Sequence, residues 1–250
     1  MSDSNSAGPK IASDMPLFFK RIVGVNPATH PGLRLDRSAG FGFAAQAQSV
    51  PLGLAEMEVA AQHYPVLFTS GPEPMPVALL GLREGQNLYV ASGGGWLADC
   101  YVPAYVRAFP FIFVQDPASQ VLFVAMEPDA AALNSGDGTP LFEDARPTPA
   151  LNEAIAFCTA LREAVAAATT FGRALDAAGL LEEEEATVNF TSGGAARVRG
   201  FKLVKPDRLA LLDDDVFLEW RRMGWIAAIY AHLYSAGRWE RLIGLGAPSR

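Results

Sequence analysis

The sequence predicts an α+β fold: a mainly antiparallel sheet in the N-terminal half, packed by two long helices from the C-terminal half, in a single domain. Three observations carry this. Short runs rich in Val, Ile and Phe in the first half come in pairs around brief polar connections, the pattern of hairpins rather than of strand–helix crossovers. Two long stretches of the second half repeat apolar residues at three- and four-residue steps. No long Gly-, Ser- or Pro-rich linker divides the halves, so a single domain over residues 16–245 follows a flexible leader over 1–15, strand-rich over 16–146 and helix-rich over 147–245.

Taken in order, Phe41–Val50 alternates large and small residues and reads as a strand. Leu54–His63 sets Leu54, Met57 and Ala61 on one helical face, and Tyr64-Pro65 ends it, because proline disfavours the α conformation of its predecessor. Val66–Thr69 is the next strand. Val77–Leu82 and Asn87–Ala91 flank Arg83-Glu84-Gly85-Gln86, a hairpin signal, and Phe111–Gln115 and Gln120–Met126 do the same around Asp116-Pro117-Ala118-Ser119. Thr148-Pro149 suits a helix start, and Leu151, Ile155, Cys158, Leu161, Val165 and Ala168 form the stripe of a long helix that Gly172 could bend and Gly179 ends. Glu182–Glu185 reads as a solvated connection before a hairpin of Thr187–Phe190 and Arg197–Val204 around Ser192-Gly193-Gly194. A second long helix spans Asp214–Ala236, opened by Asp213-Asp214-Asp215 and closed by Gly237, with Val216, Trp220, Met223, Ala227, Tyr230 and Tyr234 as its packed stripe.

Composition excludes several function classes. Half of the 250 residues are apolar, only 19% are charged, and 20 Lys+Arg against 27 Asp+Glu leave a net charge of −7, so no basic surface invites nucleic acid. The apolar stretches Tyr101–Val114 and Trp225–Tyr234 are broken by Arg107 and His232 and fall short of the roughly 20 residues of a spanning helix, so no transmembrane segment is expected. Met1–Ile11 lacks the basic start and apolar middle of an export signal, which points to a cytoplasmic chain. Cys100 and Cys158 fit no disulfide framework or metal ribbon and are read as reduced thiols. No cofactor is expected: Gly40–Ala45 matches GxGxxA, but no buried strand precedes it and Phe41 and Phe43 would crowd a pyrophosphate. Three scattered histidines supply no metal motif, and catalytic residues of a recognisable kind are not found.

The most informative segment is Gly95–Val114, where Trp96, Tyr101, Tyr105, Phe109, Phe111 and Phe113 surround the cation Arg107. Two readings stand side by side. Rings and guanidinium can form a core, with Arg107 held by an internal carboxylate such as Asp99, or they can form a recognition surface, since aromatic anchors with arginine are what partner binding uses. His63, Tyr64 and His232 complete the candidate set; His232 shares a helix face with Arg221, Trp225 and Ile229 and, if packed, would serve structure.

The succession Pro76–Arg83, Asn87–Val90 and Tyr101-Val102-Pro103-Ala104-Tyr105-Val106-Arg107-Ala108-Phe109-Pro110-Phe111 resembles the bacterial SapC family, and Pro140-Leu141-Phe142, Thr148–Leu151, Gly200–Val204 and Ile229–Leu233 follow in that family's order. The likeness runs from about Pro16 to Leu242. It implies an association with surface-layer and envelope systems, in company with outer-membrane TonB-dependent receptors and halogenase-like proteins, and it brings no catalytic motif. Two function classes follow. The preferred one is a non-catalytic accessory that binds a protein or peptide through Trp96–Phe111. The alternative is an enzyme or small-molecule binder whose site gathers His63, Tyr64, Asp99, Tyr101, Arg107 and His232. The oligomeric state is left open.

Overall fold

The computed structural model describes residues 15–115, 120–190 and 194–247. Its strands are β1 (Val23–Gly24), β2 (Arg34–Leu35), β3 (Ser49–Pro51), β4 (Val66–Thr69), β5 (Pro76–Leu79), β6 (Phe111–Gln115), β7 (Leu122–Met126), β8 (Thr139–Pro140), β9 (Phe142–Glu143), β10 (Arg146–Pro147), β11 (Leu181–Asn189) and β12 (Ala195–Val204). The helices are α1 (Met57–Ala60), α2 (Ala104–Ala108), α3 (Ala131–Asn134), α4 (Pro149–Ala177), α5 (Pro206–Leu209), α6 (Asp214–Arg222), α7 (Trp225–Tyr234) and α8 (Trp239–Gly246). A five-stranded sheet runs β11-β12-β4-β5-β3 and a three-stranded one β1-β7-β6, all pairs antiparallel, with two small ladders, β2-β8 and β9-β10, beside them.

This is the α+β, antiparallel architecture that the sequence predicts, with β1–β10 in the front and the long helices in the back, but the main sheet also takes two strands from the back. β11 and β12, from the C-terminal half, are the longest strands of the main sheet, and β12 joins β4 through Phe201 opposite Thr69 and Lys202 opposite Phe68. Glu182–Glu185 is therefore no connection but part of an edge strand. The carboxylates meet cations from the neighbouring segments: Glu182 pairs with Arg208, Glu184 with Lys205 and Glu185 with Arg199, while Glu183 accepts from Ser70 Oγ at 2.6 Å. Charges on an edge strand also discourage pairing with another chain.

Other corrections have local causes. Phe41–Val50 is a strand only at its end; Gly40 adopts φ +72°, Phe41 N donates to Gly94 O at 2.7 Å, and Gly42–Ala44 makes a 3₁₀ turn. Asn87–Ala91 is not a strand either. The Asn87 side chain donates to Ala44 O at 3.0 Å and accepts from Tyr89 N at 2.9 Å, winding the segment into turns, and only Val90 bridges across to Trp96. The Leu54–His63 helix is a 3₁₀ turn, Leu54–Glu56, followed by α1 and a tight exit. The β6–β7 hairpin forms as read, and the β11–β12 hairpin forms with a first strand that begins at Leu181 rather than Thr187; residues 116–119 and 191–193, like the leader up to residue 14, lie outside the described residues.

α4 starts at Pro149, as the sequence indicates, though Thr148 spends its hydroxyl on Pro140 O at 2.8 Å instead of capping. Gly172 does not bend it: a Cβ there would stand 1.8 Å from Pro74 O, so glycine lets α4 lie against the loop before β5. Among the described residues, α4 is the one helix long and apolar enough to cross a membrane by length and composition, with mean hydropathy 1.3 over its most apolar 18 residues, 22% of them buried. Alanines supply much of this hydropathy, and Arg162 and Glu163 sit mid-helix.

The second long helix is broken. Gly224, at φ +75°, separates α6, whose start Asp213 caps by accepting from Asp215 N at 3.0 Å, from α7. The break turns α7 so that Ala228, Ile229 and His232 face the core, while Met223, Ala227, Tyr230 and Tyr234, expected to be packed, are exposed and only Trp220 of that stripe is buried. Two hydrophobic clusters result: a main one around the five-stranded sheet, closed by Phe171, Leu175, Trp220 and Ile229, and a smaller one of Leu35, Phe111, Met126, Leu141, Leu151 and Cys158. α4 contributes to both, and the concave surface described next lies between them.

Candidate binding groove

The polar anchor of the site is Glu56, which the 3₁₀ turn at Leu54–Glu56 buries. Its Oε1 accepts from Gly53 N at 2.8 Å, and its Oε2 accepts from Ala104 N and from the Tyr101 hydroxyl, each at 2.8 Å. The carboxylate thus fixes the start of α2, and α2 carries Arg107. Arg107 Nη2 donates to the Tyr101 hydroxyl at 2.9 Å and Nε to Val102 O at 3.0 Å. The guanidinium also lies over two rings, 5.4 Å from the centroid of Tyr101 and 5.0 Å from that of Phe157 on α4. Burial, and then the neighbouring Glu56 carboxylate, push the Tyr101 phenol above its ordinary range, so it stays a neutral link between carboxylate and cation.

Arg107 is exposed. It is not enclosed in a core, and Asp99 is not its partner; Asp99 is exposed at a turn with φ +59°. Of the five N–H donors of a guanidinium, two are used within the chain, leaving three for a ligand.

Arg107 lines a groove of about 990 Å³. One wall is aromatic: Phe43 and Phe109 stack with centroids 4.0 Å apart, Phe18 meets Phe43 edge-on at 5.1 Å, and Phe41 meets Trp96 at 5.7 Å. Lys20, Asp36, Arg37, Glu127, Asp129 and Glu153 also line it. Most of these carboxylates are committed. Burial alone would raise the Glu127 carboxyl, but N–H donors of Lys20, Arg21 and Asp129, at 2.6, 3.0 and 3.1 Å, hold it below the usual range. Asp129 pairs with Arg21 at 2.9 Å, and Asp36 accepts from Ser38 Oγ and N at 2.6 and 2.8 Å. Among the described residues, the side chains of Lys20, Arg37 and Glu153 make no hydrogen bond or ion pair. The groove thus carries both signs, Lys20, Arg37 and Arg107 against Asp36, Glu127, Asp129 and Glu153, and of these carboxylates Asp129 has a cationic partner in Arg21. Among the described residues its lining contains no His, Cys, Ser, Thr or Tyr.

The remaining candidates fall elsewhere. Trp96 Nε1 donates to the Tyr64 hydroxyl at 3.0 Å, and that hydroxyl donates to Tyr101 O, so both rings brace the segment that carries Tyr101. Tyr105 donates to Leu17 O at 3.3 Å beside Phe18. His63 is partly exposed near Arg238 and Arg241, and burial and those two cations lower its pKa. His232 is a core residue: Nδ1 donates to Val66 O at 2.7 Å and Nε2 accepts from Val204 N at 3.1 Å, with burial pushing its pKa down to about 4. The gathering of His63, Tyr64, Asp99, Tyr101, Arg107 and His232 into one site is thus not what the fold builds. Cys100 accepts from Arg241 Nη2 at 3.0 Å, and both cysteines are free. Among the described residues no group of three His, Cys, Asp or Glu could hold a metal.

Sequence reasoning missed Glu56, Arg37, Phe43 and Phe157 as site residues. A signal existed for Glu56, since Gly53-x-x-Glu56 before an apolar run has the capping-box form in which a glutamate reaches back to the N-cap amide. Phe43 was weighed only as an obstacle to pyrophosphate.

No curated protein and no solved structure matches the chain. The model of one protein family, SapC, matches residues 25–242, nearly its whole length, and takes in the Glu56–Tyr101–Arg107 chain and most of the groove. The chain belongs to the SapC family.

Proposed function

We propose that this SapC-family protein is a non-catalytic accessory that binds a protein or peptide partner in an envelope-linked system, seating a segment of that partner in the groove beside Arg107. The observation that carries the reading is the exposed guanidinium held between Tyr101 and Phe157 at the edge of an aromatic wall, with three donors to spare. Preorganised arginine and aromatic rings are the residue types that dominate recognition energies, because they are rigid and bury large area at small entropic cost.

The test is panning of a random peptide library on the purified protein. Enriched peptides should bind the wild type, and Arg107→Ala or Phe43→Ala should weaken them about ten-fold or more, as loss of a central anchor does. No enrichment, or peptides indifferent to both substitutions, would place recognition elsewhere or nowhere.

A further inference from the structure

Beyond the groove, a second cavity of about 240 Å³ shares Phe157 with it as a lining residue. Its lining is Gly53, Ala55, Glu56, Val59, Tyr101 and Ala104 on one flank and Phe157, Ala160, Leu161 and Ala164 of α4 on the other. The helical spacing explains the arrangement. Glu153, Ala154 and Phe157 face the large groove, while Phe157, Ala160, Leu161 and Ala164, at steps of three and four, face the small cavity. Phe157 lines both, Tyr101 lines the small one and Arg107 lines the large one. The guanidinium, set between the rings of Phe157 and Tyr101, therefore stands at the boundary. At one end of the small cavity the turn lies directly against α4, where a Cβ at Gly53 would stand 2.7 Å from Ala164 Cβ. Its polar groups are already served, Glu56 by Gly53 N, Ala104 N and the Tyr101 hydroxyl, so an apolar side chain can enter without stranding a donor or acceptor.

We infer that the site reads a short acidic motif in two pockets: a branched aliphatic side chain in the Ala-walled cavity, a carboxylate on Arg107, and an aromatic side chain against Phe43 and Phe109. Arg107 selects the acid: three of its five N–H donors are unspent and their fork matches a carboxylate, although the lining as a whole, with Lys20, Arg37 and Arg107 against Asp36, Glu127, Asp129 and Glu153, carries no excess of cations. The small, nearly all-apolar cavity selects the aliphatic residue, and the stacked rings select the aromatic one. The inference rests on the reading of the groove as a peptide site and adds the chemistry of its ligand.

The experiment is fluorescence anisotropy with fluorescein-labelled peptides carrying Leu-Asp-Trp or Trp-Asp-Leu between Gly-Ser flanks, since chain direction is tested by the pair. At least one should bind the wild type. Replacing its Asp by Asn, or its Leu by Gly, should each weaken binding about ten-fold or more, the latter being what loss of one buried leucine side chain is worth. Ala160→Phe places a ring in the small cavity from an exposed position of α4, so folding is spared. It should weaken the Leu peptide about ten-fold and leave its Gly counterpart unchanged. Equal effects on both peptides, or binding by neither Leu peptide while panned peptides still need Arg107, would overturn the two-pocket motif and leave the groove reading standing. Failure of panning as well would remove both.

Discussion

Arg107 donates to the hydroxyl of Tyr101 at 2.9 Å and lies over the same ring, 5.4 Å from its centroid. One residue thus supplies the cation with both an acceptor and an aromatic face, and Glu56 behind Tyr101 holds the phenol in place. Arg107 has no carboxylate partner among the described residues, so removing it strands no buried charge. The loss is limited to exposed cation–π and hydrogen-bond contacts, about 1 kcal/mol.

Glu56 is the opposite case. Glu56→Ala leaves two backbone N–H groups and the Tyr101 hydroxyl without their acceptor, and each buried unpaired group costs about 1–3 kcal/mol. Urea unfolding should show a loss of about 3 kcal/mol or more for Glu56→Ala, and less for Glu56→Gln, whose amide oxygen still accepts. A midpoint unchanged by Glu56→Ala would remove Glu56 from its anchoring role.

His232 makes stability depend on pH. It is neutral in the fold, with a pKa of about 4 against about 6.5 when unfolded. Below pH 6.5 the unfolded chain takes up a proton that the folded chain refuses, so the contribution is full above that pH and is lost as pH falls towards 4, amounting to about 3 kcal/mol. His63, also shifted down, acts in the same direction. The comparison that isolates His232 is unfolding free energy at pH 7 and pH 5 for wild type and His232→Gln; the variant should be less stable at pH 7 and should lose less on acidification. Parallel losses in the two proteins would contradict the assignment.

Gly172→Ala should be among the most damaging conservative changes in the chain. A methyl group 1.8 Å from Pro74 O forces α4 away from the main sheet, at about 3 kcal/mol, the upper range of overpacking costs. Its effect should appear in thermal melts. If the variant melts with the wild type, the close approach of α4 to Pro74 is not as described.

The two thiols should separate by accessibility. Cys158 is buried between α4 and the smaller cluster, and burial pushes its pKa up to about 11, while Cys100 is only partly covered. A thiol reagent at pH 8 should modify at most Cys100 in the native protein and both after unfolding, as mass spectrometry of digested protein would show. Native labelling of Cys158 would contradict its place in the core.

What the sequence disclosed was set by distance along the chain. The β6–β7 and β11–β12 hairpins and α4 rest on local periodicity and turn residues, and all were legible. The break at Gly224 was not, because a helical stripe reads smoothly through a glycine whose φ of +75° only tertiary packing imposes. Asn87–Ala91 has the composition of a strand, but the Asn87 side chain ties it to Ala44, a contact 43 residues away. The site divides the same way. Tyr101 and Arg107 share one segment and stood out together, whereas Phe43, Glu56 and Phe157 reach them only through the fold.

The most direct test of the binding groove pairs two readings on one substitution: thermal melting and anisotropy titration with a groove-binding peptide, for wild type and Arg107→Ala. The account predicts melting temperatures within about 4 °C of each other, the shift of a 1 kcal/mol change in a chain of this size, together with affinity reduced about ten-fold or more. Undiminished affinity, or a fall in melting of about 10 °C or more that marks Arg107 as a structural residue, would contradict it.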